Sequence, residues 1–436
     1  MFTFCFQSDI INIYFGDDLM SVYLCIDLKT FYASVECVER NLDPFNTNLV
    51  VADSERGKGT ICLAVSPKMK MLGVKNRCRL YEIPSGINYI IARPRMSKYI
   101  EYSASIYSIY LKYVAKEDIH VYSIDEAFLD ITHYLKMYNM KALQLAKTIM
   151  KDIYETFGIT ATCGIGTNLY LAKVALDIMS KHSASNIGWL DEKRYQKLLW
   201  HHIPLTDFWQ VGTGIEKRLN KHGLYDMYDV AMSNPKVLYS EFGINAEILI
   251  DHAFGRESCT IEDIKKYSAK SRCISTSQVL FEDYCFEKAR LVLKEMVEVK
   301  SLELVEKDLV TDKVHIYIGY SKDAIKPAKG SINVGRKTNL FSELVYAFLI
   351  LFDKLVDRNV AIRRIGIAFL NVTKSDFQQM NLFVDISKAE KEQKLEKAIN
   401  EIKGKIGKNS VIRGMNLEKG ATTTKRNDMI GGHSAK

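Results

Sequence analysis

No CxxC pair occurs in this chain, and its nine cysteines are odd in number and scattered, among them Cys25, Cys37, Cys62, Cys78 and Cys163. That pattern excludes a disulfide framework and a cysteine-based zinc site, and fits reduced thiols in a cytosol. Long apolar runs are missing too. The longest uncharged one, Leu344 to Phe352, is too short to cross a bilayer, so a soluble protein is expected. Met1 to Asp18 is aromatic and apolar but has no Lys or Arg before Lys29, which leaves it without the positive start of a secretion signal. Residues 1–20 read as an N-terminal extension, either lineage-specific or due to a start codon assigned too early. Neither charge sign dominates: 60 Lys and Arg face 52 Asp and Glu, a formal charge of +8. Such an excess permits a polyanionic partner without proving one. With 436 residues the chain can form about three domains.

Residues 121 to 132 read Val-Tyr-Ser-Ile-Asp-Glu-Ala-Phe-Leu-Asp-Ile-Thr, and the neighbouring acids Asp125 and Glu126 stand out in an otherwise apolar run. Adjacent anions in a buried hairpin repel each other and lose hydration, so the pair is costly unless a cation neutralises it. Consecutive side chains of a regular strand face opposite ways, and both acids can reach one ion only at a bend or hairpin tip. Val121 to Ile124 lead in and Ala127 to Ile131 lead out, which puts Asp-Glu at such a turn. Upstream, a buried-strand pattern ends on Asp27, and Leu28 to Glu36 reads as a turn into a helix. Asp27, Asp125 and Glu126 form a hard oxygen set suited to Mg²⁺. Two such ions would clamp the attacking and leaving oxygens of a phosphoryl or nucleotidyl transfer. A strand-end cap at Asp27 and a solvated turn at Asp125-Glu126 is the blander reading.

Cys25-Ile26-Asp27 with Phe31-Tyr32-Ala33-Ser34-Val35-Glu36, then Tyr122-Ser123-Ile124-Asp125-Glu126-Ala127-Phe128, resembles the signature pair of the Y-family translesion DNA polymerases, in their UmuC-like branch (ImpB/MucB/SamB type). The resemblance implies an α+β multidomain fold shaped as a right-hand polymerase. Residues 21–36 and 89–185 would be a ferredoxin-like palm and 37–88 small fingers. A helical thumb with a helix-hairpin-helix would span 186–266, a linker 267–274 and an α+β little finger 275–376. Residues 377–436 would hold a clamp-binding peptide and a charged, partly mobile tail. The same resemblance makes Asp27, Asp125 and Glu126 the catalytic ligands of two Mg²⁺ ions, with Mn²⁺ as a substitute and the Leu28 carbonyl as a further oxygen. Tyr32 would be the steric gate that collides with a ribose 2′-hydroxyl, with Phe31 beside it at the nucleotide. Both aromatics also fit core positions on a helix face.

Between the acidic motifs, Thr60 to Val65 reads as a strand, Ser66-Pro67 as an N-cap followed by proline, and Gly73 as the helix end. Lys68 and Lys70 ride on that helix. By the resemblance, Lys70 meets the incoming triphosphate where many relatives carry arginine; a solvated cationic face is the alternative. Thr160 to Gly166 is a small-residue strand and turn, and Thr167-Asn168 caps a helix through Lys173. One more residue separates Asp177 from Lys181 than in some relatives, so the family's triphosphate lysine falls on Lys181 or Lys173. Lys181 is preferred for the nucleotide, and Lys173 for helix or DNA support. Ile203 to Leu219 reads as helix, glycine turn, helix, in which the amides of Gly212, Thr213, Gly214 and Ile215 would hold a DNA phosphate without reading sequence.

From Ser275, helical patterns (Glu287 to Leu304, Asn339 to Val356) alternate with strands (Lys313 to Tyr320, Ala361 to Val372) in the order β-α-β-β-α-β. Lys322, Lys326, Lys329, Arg336 and Lys337 are its candidate basic surface. No base-reading constellation is evident, so DNA affinity is expected to be salt-sensitive and independent of sequence. Gln379-Met380-Asn381-Leu382-Phe383 resembles the bacterial sliding-clamp-binding peptide. Lys388 to Lys403 reads as an exposed charged helix, and the Gly-, Thr- and Lys-rich end as mobile. Together the resemblances imply a low-fidelity, template-directed DNA polymerase of DNA repair and an SOS-type damage response, in the bacterial cytoplasm at the nucleoid. Its partners would be primer–template DNA, dNTPs and the sliding clamp (the DNA polymerase III beta subunit). Nothing in the chain reveals whether a UmuD-like accessory protein joins it. A palm-type nucleotide cyclase would use the same acids without a template. A non-catalytic DNA or sliding-clamp adaptor would keep the glycine turn and the pentamer but would not need three acids. Lys29 and Pro67 depart from the residues many relatives carry.

Overall fold

A computed structural model describes residues 21–269, 272–321, 325–375 and 386–436. The chain divides into two compact units, one ending at Tyr267 and the other starting at Ser268, inside the composition shift at 267–274. In the first unit β1 (Tyr23–Leu28) turns directly into α1 (Phe31–Val38). A small sheet follows from β2 (Leu49–Val51), β3 (Ala64–Val65) and β4 (Ile90–Ala92), with α2 (Pro67–Met71) beside it. The cap of α2 is the one its sequence suggests: Ser66 Oγ accepts from Met69 N–H, Pro67 fills the first turn, and Gly73 leaves at φ 84°.

The long α3 (Met96–Tyr113) leads to the hairpin of β5 (Ile119–Val121) and β6 (Glu126–Asp130). Then come α4 (Thr132–Tyr138), α5 (Ala142–Phe157), β7 (Ala161–Gly166), α6 (Leu169–Val174) and β8 (Ile187–Leu190). The main sheet runs β5-β6-β1-β7-β8. β1, β5, β6 and β7 with their helices have the order and antiparallel pairing of a ferredoxin-like unit. The apolar stripe Leu145, Ala146, Ile149 and Ile153 seats α5 against the sheet, and Gly158 at φ 65° ends it. Glycines in β7 set how closely α6 can lie. A Cβ on Gly164 would sit 2.0 Å from the Ala172 carbonyl, and one on Gly166 2.1 Å from the Ala172 nitrogen.

The helical part of this unit comprises α7 (Glu192–Leu199), α8 (Thr213–Lys221), α9 (Met227–Met232), α10 (Pro235–Phe242), α11 (Asn245–Phe254) and α12 (Ile261–Lys266), around a core that includes Phe208, Val211, Leu219 and Leu238. The first helix expected from Ile203 onward is only the 3₁₀ turn Leu205–Asp207. The sharp reversal falls on Gln210, at φ 68°, and not on the glycines.

In the second unit β9 (Arg272–Tyr284), α13 (Phe286–Glu306), β10 (Leu309–Tyr320), β11 (Ala328–Thr338), α14 (Phe341–Leu355) and β12 (Ile362–Lys374) build an antiparallel sheet in the order β11-β10-β12-β9. β9 starts within the residues read as a linker. The two helices cover one face over Val314, Ile316, Phe348, Phe352 and Ile365. The alternate residues of the strands, among them Lys329, Lys337, Arg364, Ser275 and Ser277, are exposed.

The C-terminal residues correct the sequence reading. They are folded, with α15 (Ile386–Ile406), a 3₁₀ turn at Gly414–Leu417, α16 (Thr423–Asn427) and a hairpin of β13 (Met429–Ile430) with β14 (His433–Ser434). The cause is a pair of buried acids on α13. Glu295 accepts from Asn416 Nδ2 (3.0 Å) and from the N–H groups of Thr422 (2.7 Å) and Thr423 (3.2 Å), and Glu298 accepts from Arg413 Nε (3.1 Å). Nor is α15 simply an exposed charged helix, because Glu396 is fully buried. Glu392 accepts from the Ser342 N–H (2.8 Å) and hydroxyl (2.7 Å), capping an α14 whose own N-cap residue, Leu340, has no side chain able to do so. Among the described residues no helix is long and apolar enough to cross a membrane.

Candidate active site

Asp27 and Glu126 are direct partners across the β1–β6 ladder, so both acids rise on the same face of the sheet. Asp125 ends the bend between β5 and β6, where its carbonyl accepts from Leu28 N–H at 2.9 Å and its carboxylate accepts from Ser123 Oγ at 2.7 Å. The hairpin tip expected from the apolar flanks is thus present. Burial pushes the Asp27 carboxyl up to about 7, Asp125 and Glu126 push it the same way, and Lys181 and Lys173 oppose them.

Among the described residues no three of His, Cys, Asp and Glu converge closely enough to hold a metal ion. Glu126 turns to Lys173 Nζ (2.7 Å) and accepts from the Cys25 thiol (3.0 Å). The donor set nonetheless suits a divalent cation. Its oxygens are hard, two adjacent strands present them, and the mutual repulsion that raises Asp27 is what a cation between them would relieve.

The cations come from four places in the first unit. Lys173, on α6, is held by Glu126 and by Asp177 (3.0 Å) and is nearly buried. A π-helical stretch, Ala175–Met179, continues α6. Beyond it Lys181 is half exposed and pairs with Asp177 at 2.8 Å. Lys70 of α2 lies close enough for Asp27 and Lys181 to act on it, although burial is the main force holding its ammonium below the usual lysine range. Lys29 donates to Asn186 Oδ1.

Tyr32 and Phe31 part company. Phe31 is buried, whereas Tyr32 is half-buried and stacks on Tyr99 with centroids 4.5 Å apart. Burial, then the Asp125 charge, raises the Tyr32 hydroxyl above its ordinary value. Tyr99 in turn donates to Glu36 at 2.8 Å, and Arg95 makes two bonds to the same buried carboxylate (2.9 and 3.0 Å). Sequence reasoning missed Tyr99, Arg95, Cys25 and Asp177. Only Asp177 left a signal, four residues after Lys173 and four before Lys181.

Elsewhere, Gly212, Thr213 and Gly214 are exposed at the start of α8, and a Cβ on either glycine would meet nothing within 4 Å. Of the candidate basic residues, Lys326 and Lys329 are exposed, Lys337 reaches Thr373 Oγ1 at 3.3 Å, and Arg336 is paired with Glu343. Lys322 and the pentamer Gln379 to Phe383 lie outside the described residues.

The model of the impB/mucB/samB family matches residues 26–177, and that of the family's C-terminal domain matches residues 271–382. A putative UV-damage repair protein, UvrX, of Bacillus subtilis is 30% identical over 93% of this chain and 96% of its own. A protein named DNA polymerase IV 2 from the same organism is 28% identical over 93% and 97%, and a DNA polymerase IV of Clostridium acetobutylicum is 24% identical over 85% and 90%. Among solved structures, a Y-family DNA polymerase chimera built on Dbh superposes with a TM-score of 0.62 at 20% identity, over 81% of this chain and 99% of that one.

Proposed function

Because the chain belongs to the impB/mucB/samB family and has the fold of a Y-family DNA polymerase, we propose that it copies DNA past damaged bases with the acids of β1 and β6 as its catalytic centre. It is a DNA-directed DNA polymerase of translesion synthesis. The observation that carries the site is the ladder pairing of Asp27 with Glu126, with Asp125 at the adjoining bend and Lys70 and Lys181 within electrostatic reach.

The family's dependence on divalent metal ions fits this donor set, and Mg²⁺ is the ion we assign, with Mn²⁺ as a substitute. When bound, a pair of such ions supplies activation of the primer 3′-hydroxyl and charge neutralisation at the leaving pyrophosphate. Asp27, Asp125 and Glu126 would hold them, with the Leu28 carbonyl as a further oxygen. Lys181 is the better triphosphate ligand than Lys173, because an exposed ion pair with Asp177 is worth little and is easily exchanged for a phosphate. Lys70 faces the same anion from α2. Tyr32, held half-buried by its stack on Tyr99, is the residue we assign as the steric gate against a ribose 2′-hydroxyl. Phe31, being buried, supports that ring from the core side. The amides opening α8 at Gly212 to Ile215 bind the template–primer backbone, Lys173 supports them only indirectly, and Gln379 to Phe383 engages a sliding clamp. Neither alternative is favoured: a nucleotide cyclase or a non-catalytic adaptor would not explain a likeness to named DNA polymerases over some nine-tenths of the chain.

Primer extension tests the reading. Wild type should extend a primed template and continue across an abasic site. Asp125→Ala should lower the rate by roughly 10³-fold or more while primer–template affinity persists. Undiminished extension by Asp125→Ala would remove these acids from the mechanism.

A further inference from the structure

Trp209 has no role in the site described so far, yet it joins two parts of the first unit. Its indole N–H donates to the Tyr122 hydroxyl at 3.1 Å, with the two rings 6.0 Å apart at 77°. Its ring is also 5.9 Å from that of Phe128. One side chain thereby packs against both the helical core around Phe208, Val211 and Leu219 and the sheet core around Tyr23, Cys25, Phe128 and Leu169.

The backbone accounts for this placement. Gln210 is left-handed, a conformation that a non-glycine residue keeps only where its surroundings hold it. The chain therefore turns sharply just after Trp209, which packs toward the sheet, while Gly212 to Ile215 begin α8. At the other end, Tyr122 N–H donates to the Glu126 carbonyl at 2.9 Å, and the Tyr122 ring lies 5.8 Å from Lys173 Nζ, the cation bonded to the Glu126 carboxylate.

We propose that Trp209 is a positioning residue for nucleotidyl transfer. By holding the Tyr122 hydroxyl it ties the glycine turn to the bend Tyr122 to Glu126, so that a template–primer seated on the turn keeps Asp125 and Glu126 in register with Asp27. This rests on the polymerase reading given above.

The test uses the full chain as Trp209→Phe, Tyr122→Phe and the double variant. Phenylalanine keeps a ring in place and removes the hydrogen bond from one end or the other. Each single change should lower kcat for nucleotide insertion about tenfold, the worth of one hydrogen bond. The Kd for primer–template, from fluorescence anisotropy, should stay within about twofold. The double variant should be no slower than the slower single one, since both remove the same bond. Additive losses, a weakened Kd with kcat intact, or a wild-type kcat in either single variant would overturn the proposal. Tryptophan emission gives a readout independent of turnover. Adding primer–template should change the emission of wild type, and Trp209→Phe should lose that change although Trp189 and Trp200 remain; an equal change in both proteins also refutes the link. If wild type extends no primed template, the polymerase reading fails, and the emission measurement alone then decides whether the turn and the bend are coupled.

Discussion

Lys173 and Lys181 sit eight residues apart, share Asp177, and should answer differently when removed. Lys173 is 7% exposed and neutralises Glu126, itself 8% exposed. Deleting its charge would leave a buried carboxylate with the Cys25 thiol as donor but no cation to neutralise it, a loss of about 3 kcal/mol. Lys181 is 46% exposed on its side chain, and its pair is worth under about 1 kcal/mol. Urea unfolding followed by tryptophan fluorescence separates the two, because Trp189, Trp200 and Trp209 all lie in the first unit. Lys173→Met should shift the midpoint strongly and Lys181→Met barely, whereas nucleotide KM should rise in Lys181→Met. At this scale the sequence was informative about which acids to suspect, since an Asp-Glu pair inside an apolar hairpin needs a reason to exist. It was uninformative about the partners that hold them. Cys25 and Tyr99 reach Glu126 and Glu36 across 101 and 63 residues, and no local spacing encodes such pairs.

Elements with a strong period were legible, and those built on long-range polar contacts were not. The hairpin around Asp125 and the cap at Ser66-Pro67 follow from alternation and local hydrogen bonding, and they stand where expected. The segment after Lys403 has the composition of a free tail, and composition cannot distinguish Thr and Asn that meet water from Thr and Asn that satisfy Glu295. A better signal was in α13 itself, where Glu295 and Glu298 interrupt the apolar positions Val292, Met296 and Val297. The docking of α15 should depend on pH. Burial, then the neighbouring Glu392 charge, raises the Glu396 carboxyl from 4.5 to about 7. The folded state therefore binds more protons than the unfolded one between those values. The contribution of this one group to stability is greatest below pH 4.5 and is lost as pH rises through 7, by at most about 3 kcal/mol. Hydrogen exchange of α15 amides, corrected for intrinsic rates, should show less protection at pH 8 than at pH 5. Glu396→Gln should flatten that dependence.

For the whole molecule, a formal charge of +8 is too small to identify a nucleic-acid partner, and only its distribution over exposed residues such as Lys326, Lys329 and Arg364 gives it meaning. If DNA is held through phosphates alone, affinity should fall roughly 10³-fold between 50 and 200 mM salt once about six phosphates are contacted. Anisotropy titrations on unrelated primer–template sequences should give the same slope. A steep difference between sequences would instead indicate base reading. The β-α-β-β-α-β order of the second unit and the division near residue 267 were readable from hydrophobic period and a change of composition, whereas the ferredoxin-like arrangement of the first unit came only with the family resemblance. The C-terminal closure of the second unit has a further consequence for the gene. A stop codon falling after α13 and ahead of Thr422 would strip Glu295 of its Thr422 and Thr423 donors, and the shortened product would be fodder for cellular proteases instead of a surviving competitor for damaged template.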